Sequence, residues 1–311
     1  MTQDGTATLR SVLVAFPCDL CGGSATRILQ PAAYTGDEPL DEIVSTYRSS
    51  SEVRLMDQLS QCTACGLVFA SPRLPDDLLI QGYSEAIDER HFAQAEFREA
   101  TFARALDTII AANPRMAPTS GQRILDIGCA GGSFLAAARA RGFTATGVEP
   151  ARWLAEQGRR HYRVDIKDGV FNPRDFDDSP LHAVSLWDVL EHVSSPRELL
   201  SDIHGALRPG GYLIVNVPTI DSVAARVLRR HWPFYLNVHL YYFTATTLAR
   251  YFAATGFRMT SSRSFWQTLP ASYLAERSSA GRIRESSLPG GLAKVPIRYN
   301  MGQRTFVAVR D

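Results

Sequence analysis

The chain has 311 residues, more than one typical domain, so a main unit with its own core and a smaller attachment are expected. Its 45% apolar and 21% charged residues are those of an ordinary soluble globular protein, not of a disordered or fibrous one. Thirty-three basic against 32 acidic residues leave a net charge of +1, which provides no long-range attraction to nucleic acid or to an anionic membrane. No run reaches the roughly 18 uninterrupted apolar residues of a membrane-spanning helix. The apolar run 12–16 ends at once in Pro17, Cys18 and Asp19, too short for a secretory segment, so a cytoplasmic protein is expected. In that reducing compartment five cysteines point to metal or to isolated buried thiols rather than to disulfides.

Four of those cysteines form two Cys-x-x-Cys pairs, Cys18/Cys21 and Cys62/Cys65, each followed by a glycine, Gly22 and Gly66. Such a turn places two thiolates about one metal, and the glycine lets backbone amides approach the sulfurs. Two turns complete a closed tetrahedral site, as in a zinc ribbon, and the site is expected to be structural because four thiolates leave no open position. The 40 residues between the pairs exceed the usual spacing of about 15–20, so a segment near 34–54 should be looped out. A strand follows at 67–70, a turn at 71–75 and a short helix at 76–83. From 91 to 112 apolar residues (Phe92, Ala95, Phe102, Ala105, Leu106, Ile109) recur at helical spacing, and prolines and Ser120-Gly121 then break the pattern. The expected division is a zinc-binding module over 1–85, a helical linker or lid over 86–120 and an α/β domain over 121–311.

Within 121–311 strands are expected at 123–127, 144–148, 164–166, 183–187, 212–217, 257–262 and 305–309. Helices are expected at 133–141, 153–161, 197–207 and 245–255. Strands separated by crossover helices give a mostly parallel, doubly wound sheet covered on both faces. Residues 264–304, rich in Ser, Arg, Gly and Pro, read as an irregular excursion.

The strongest functional signal is the strand-to-helix turn Asp126-Ile127-Gly128-Cys129-Ala130-Gly131-Gly132. Glycines there let backbone come close to a ligand at the carboxyl edge of the sheet. A dinucleotide fingerprint would need glycine at 128, 130 and 133, where the chain has Gly128, Ala130 and Ser133, so a nicotinamide enzyme is disfavoured. The second strand ends in Glu149, a carboxylate where a ribose diol would sit. Cys129 inside the loop reads as a small buried residue.

With these residues in order, followed by Trp187-Asp188-Val189-Leu190-Glu191-His192 and by Leu207-Arg208-Pro209-Gly210-Gly211, the segment 121–311 resembles the class I S-adenosylmethionine-dependent methyltransferases. The nearest pattern is that of bacterial enzymes that join a zinc ribbon to this domain in polysaccharide or natural-product pathways. The ubiquinone-pathway O-methyltransferases are more distant. The resemblance implies a seven-stranded Rossmann-like sheet, S-adenosylmethionine as cofactor and a small-molecule acceptor. It departs at Ala130, where many members carry glycine.

Carried onto this chain, the resemblance implies a cofactor site of Asp126, Gly128, Cys129, Gly132, Glu149, Val170 and Trp187. Gly128 and Gly132 would pack against the methionine part, Glu149 would bind the ribose hydroxyls and Val170 would lie near the adenine. Asp188, Glu191 and His192 are expected to begin the helix after the fourth strand, on one face. His192 is the candidate general base, steered by a neighbouring carboxylate. As an alternative, the three could hold magnesium, since the ubiquinone-pathway enzymes carry acidic, acidic and histidine side chains there. The aromatic segment 230–243 is expected to line the acceptor pocket with His239 as a further catalytic candidate, or else to plug the edge of the sheet. The expected reaction is O-methylation by direct displacement, with C- or N-methylation or a non-catalytic docking role as alternatives.

Overall fold

The computed structural model of the protein describes residues 8–47, 53–79, 89–119, 121–176, 179–278 and 295–311. The N-terminal part contributes β1 (Thr26–Gln30), the short helix α1 (Leu40–Val44), β2 (Leu59–Cys62) and β3 (Val68–Ala70). Helix α1 falls in the segment expected to be looped out. The helix expected at 76–83 is present at 76–79, and its remainder lies outside the described residues. Next come α2 (Glu89–Phe92) and the long α3 (Ala95–Ala112), which buries Leu106 and Ile109 against the following domain.

From there strands and helices alternate: β4 (Arg123–Ile127), α4 (Ser133–Arg139), β5 (Thr144–Glu149), α5 (Arg152–Tyr162), β6 (Asp165–Asp168), β7 (Leu181–Trp187), α6 (Pro196–Ala206) and β8 (Leu207–Pro218). The chain continues through α7 (Val223–Leu228), β9 (Tyr241–Tyr242), α8 (Ala245–Ala254), β10 (Phe257–Ser264), β11 (Gln267–Pro270), α9 (Ala271–Ser278), β12 (Pro296–Tyr299) and β13 (Gln303–Arg310). Thr244 starts α8 through a capping box, its hydroxyl accepting the Thr247 N–H.

The main sheet has seven strands in the order β10-β13-β8-β7-β4-β5-β6, parallel from β8 to β6 and antiparallel where β13 enters between β8 and β10. All seven residues of β7 are buried, as a central parallel strand covered on both faces requires. The strand order reverses between β4 and β7, so a crevice opens at their carboxyl ends, the place where doubly wound sheets bind ligands. No helix among the described residues is long and apolar enough to cross a membrane.

Two features depart from the sequence reading. Part of 264–304 is ordered: β11 and β12 pair antiparallel, Gln267 opposite Tyr299, while 279–294 lies outside the described residues. The N-terminal sheet is also completed from the far end of the chain, because β9 pairs with β3, Phe69 opposite Tyr241 and Val68 opposite Tyr242. One hydrophobic core accordingly runs from Leu20, Cys62 and Phe69 through Tyr241 and Phe243 to Leu186 and Val215. Side chains add ties at the same boundary. Asp19, inside the first cysteine turn, accepts the Ser195 hydroxyl at 3.0 Å and the Arg197 N–H at 3.0 Å, which caps α6, and Arg250 donates to the Cys65 carbonyl at 2.8 Å.

Candidate functional site

The loop between β4 and α4 is shaped by left-handed backbone. Gly128 has φ +67° and Gly132 φ +76°, and a Cβ on Gly128 would lie 2.6 Å from the Val189 side chain. Ala130, the departure from the family pattern, also lies in the left-handed region at φ +46°, which explains why glycine is common there. The loop is tied to β5 by the N–H groups of Gly128 and Cys129, both donating to the Val148 carbonyl. Cys129 turns its thiol inward against Gly147, and burial pushes that thiol well above its ordinary pKa, so it is a packing side chain and not a nucleophile.

Two buried carboxyls lie beneath the loop. Asp126 accepts the Ser185 hydroxyl at 2.6 Å across the β4–β7 pair, and burial raises its pKa well above the carboxylate range. Glu149 accepts the Ala130 N–H at 2.8 Å and the Ala151 N–H at 2.9 Å, and burial raises it to about 6. Each of its oxygens keeps a second lone pair for a ligand hydroxyl. Beyond β6, Val170 is 69% exposed, an apolar side chain left open at the carboxyl edge. A cradle of left-handed glycines, the Glu149 carboxylate below it and an exposed aliphatic side chain beside it fit a cationic sulfonium nucleoside better than a pyrophosphate.

Trp187 ends β7 and packs with Phe102, Phe134 and Phe265, while its buried indole N–H has no hydrogen-bond partner among the described residues. Next to it a recess is lined by Arg98, Thr101, Phe102, Asp188, Phe265 and Gln267. Sequence reasoning assigned Arg98, Phe265 and Gln267 no role. Phe102 belongs to the apolar repeat of α3, whereas Phe265 and Gln267 fall in the segment read as irregular.

Asp188, Glu191 and His192 do not begin a helix. Asp188 is left-handed at φ +56°, residues 188–195 form a turn, and α6 starts only at Pro196, where proline fits the first helical position and holds Ser195 out of the helix. Spacings of three and four therefore do not align these side chains. The Asp188 carboxylate is held by Asn216 at 2.8 Å and Gln303 at 2.6 Å, and the acidic, acidic, histidine set expected for magnesium finds no support in this geometry. What converges instead is Glu191, His192 and His239, with one ligand atom from each within 4.8 Å of the others.

His192 is oriented by a backbone carbonyl, Val238 at 2.9 Å from Nδ1, rather than by a carboxylate, and burial lowers its pKa to about 4, so the ring is neutral at physiological pH. His239 is held the same way by the Phe234 carbonyl at 2.9 Å, and the two rings meet edge to face at 4.7 Å. Around His239, Trp232 and 240–243 are buried, packing the sheet edge against the N-terminal module. Most of 230–243 thus has the character of a plug, with His239 the polar exception.

The four cysteines of the two pairs also converge. The Sγ atoms of Cys18 and Cys65 are 3.4 Å apart and those of Cys21 and Cys62 3.6 Å, close to the spacing of about 3.8 Å that four bonds of about 2.3 Å to one tetrahedral ion would set.

A family model described as a methyltransferase domain matches residues 91–262, more than half of the chain. The chain is similar to the ubiquinone biosynthesis O-methyltransferase of Maricaulis maris, 33% identical over 123 residues that cover 37% of this chain and 48% of that protein. It is also similar to the demethylmenaquinone methyltransferase of Clavibacter sepedonicus, 30% identical over 135 residues, 41% of this chain and 53% of that one. The chain spans about half the length of the curated relatives it matches. Among solved structures, an S-adenosylmethionine-dependent methyltransferase from Archaeoglobus fulgidus superposes with a TM-score of 0.47 at 18% identity, over 68% of this chain and 94% of that one.

Proposed function

The chain belongs to the methyltransferase-domain family, and from that premise we propose that it is an S-adenosylmethionine-dependent methyltransferase that methylates a hydroxyl of a small biosynthetic molecule by direct displacement. The observation that supports the acceptor half is the largely buried cluster of Glu191, His192 and His239 beside the end of β7, where two imidazoles stand next to a carboxyl group. Bound S-adenosylmethionine supplies a methyl group activated by sulfonium.

The residues of the chain do the rest. Gly128 and Gly132 admit the methionine part, Glu149 accepts from the ribose hydroxyls, and Val170 covers the adenine. Trp187 and Phe102 border the recess in which the acceptor is held in line with the methyl, and most of the rate gain comes from that positioning. As the oxygen–carbon bond forms and the sulfur–carbon bond breaks, the hydroxyl proton is drawn off toward the histidine cluster. Formation of a structural zinc site by Cys18, Cys21, Cys62 and Cys65 belongs to the same proposal, supported by their sulfur spacing. Near-zero net charge supports a small-molecule acceptor over nucleic acid or a membrane surface, and a cytoplasmic setting accords with four thiols held for metal.

Calorimetry with S-adenosylmethionine and S-adenosylhomocysteine tests the cofactor site, and absence of binding to folded protein would end the reading. Incubating the protein with methyl-labelled S-adenosylmethionine and a cell extract tests the acceptor. Label recovered on a small-molecule oxygen is expected, and label recovered only on protein or nucleic acid would refute it.

A further inference from the structure

Glu191 is 1% exposed, yet neither of its carboxylate oxygens has a hydrogen-bond partner among the described residues. A buried carboxylate left this way is costly unless a cation or a proton compensates it. Among the described residues no lysine or arginine forms an ion pair with it. Besides Asp188, whose charge acts on it, the groups that face it are two imidazoles, each with Nδ1 against a backbone carbonyl, Val238 for His192 and Phe234 for His239. A carbonyl only accepts, so each Nδ1 carries the ring proton and each Nε2 carries the lone pair. That tautomer, fixed by a backbone carbonyl, is how metal-binding histidines are characteristically held.

We propose that Glu191, His192 and His239 form a second metal site, distinct from the four cysteines, that takes one divalent transition ion of the zinc class. Two imidazole nitrogens and one carboxylate oxygen are borderline donors that suit zinc, cobalt, nickel or iron, whereas magnesium favours oxygen ligands and retains several waters. Asp188 stays outside the set, because Asn216 and Gln303 hold its carboxylate. Bonds of about 2.0–2.2 Å would bring the three ligand atoms about 3–3.5 Å apart, so separations of up to 4.8 Å close by as much as about 1.3–1.8 Å.

Three protein donors leave a coordination position open, the arrangement of catalytic rather than structural sites. With both Nε2 atoms on the ion the imidazoles no longer accept a proton, so in the metal-loaded protein an acceptor hydroxyl entering that position would be acidified by the ion and release its proton to solvent. This last consequence rests on the proposed function. The site itself does not.

The test is a cobalt(II) titration of the full chain with its cysteine site already filled with zinc. The expected result is one cobalt bound per chain, with visible d–d bands and no sulfur-to-metal charge-transfer band. Glu191→Gln and His239→Ala should each weaken that binding by about 100-fold, Asp188→Asn by less than about threefold, and millimolar magnesium should not displace the cobalt. No cobalt uptake by folded wild-type protein would overturn the site, as would binding lost in Asp188→Asn but kept in His239→Ala. Should His239→Ala fail to fold, the near-isosteric Glu191→Gln decides alone. S-adenosylmethionine titration of the same samples separates the two proposals: intact cofactor binding without cobalt uptake sinks the metal site and leaves the methyltransferase reading standing.

Discussion

Replacing Glu149 with glutamine separates the effect of burial from that of ligand recognition. The carboxylate is 2% exposed, and burial raises its pKa from an ordinary 4.5 to about 6. A carboxyl with a raised folded pKa binds more protons folded than unfolded between the two values, so stability is lost as pH rises through that window. At 1.36 kcal/mol per pH unit the loss reaches about 2 kcal/mol above pH ~7. Glutamine removes this titration. Its carbonyl can serve one of the two N–H groups of Ala130 and Ala151, but its amide turns a donor toward the other, at a cost of about 1–3 kcal/mol. The variant should be clearly less stable than wild type at pH 4.5 and nearly equal at pH 7.5, the gap narrowing by about 1.5–2 kcal/mol. Asp126, whose pKa the Glu149 charge helps to raise, pushes the difference in the same direction. Urea unfolding at several pH values measures the gap, and a gap constant to within about 0.5 kcal/mol would refute the reasoning. S-adenosylmethionine affinity at pH 7.5 should fall by about tenfold or more in the variant, since one ribose acceptor becomes a donor.

Gly128→Ala combines a left-handed φ with a Cβ 2.6 Å from Val189, so a loss of about 2 kcal/mol in stability and of most cofactor affinity is expected by unfolding and calorimetry. Cys62→Ser should abolish stoichiometric zinc in metal analysis. It should also lower the melting temperature of the whole chain in a single transition, because the N-terminal sheet shares β9 and one core with the main domain. A separate early transition would show that the module unfolds alone. His192→Ala should slow methyl transfer by about 100-fold while cofactor affinity stays within about threefold, and unchanged turnover would remove the cluster from the reaction.

The sheet was legible chiefly from its central strands, because β4 and β7 are short apolar runs bounded by turn residues, and periodicity reports such local patterns directly. β9 was not legible. It is two residues long, Tyr241 and Tyr242, and it exists only because β3, some 170 residues earlier, offers an edge to pair with. Nothing local marks such a strand. The placing of Asp188, Glu191 and His192 on a helix is a different case: the helix was expected at 197–207 and lies at Pro196–Ala206, with Ser195-Pro196 marking its start, but the family motif drew the three residues onto it. Likewise the left-handed backbone at Gly128 and Gly132 could be read from residue type alone, because such φ values favour glycine. The neighbours of Asp188 could not, since Asn216 and Gln303 come from two other strands.

The same non-local strand accounts for the acceptor side of the site. The Ala70 N–H donates to the Leu240 carbonyl at 2.8 Å, and the Leu240 N–H donates to the Glu191 carbonyl at 2.8 Å, so the edge of the N-terminal sheet, the segment bearing His239 and the turn bearing Glu191 and His192 are stitched in series. Arg73, fully buried against Phe16, extends the stitch to the Ser194 carbonyl at 3.3 Å. His239 is therefore positioned by the N-terminal module, while His192 is positioned by the main sheet. A pair of imidazoles assembled across that boundary keeps its spacing only while both parts are folded. The cysteine turns, far from the methyl in sequence, thereby hold one half of the cluster at which the acceptor's proton is proposed to leave.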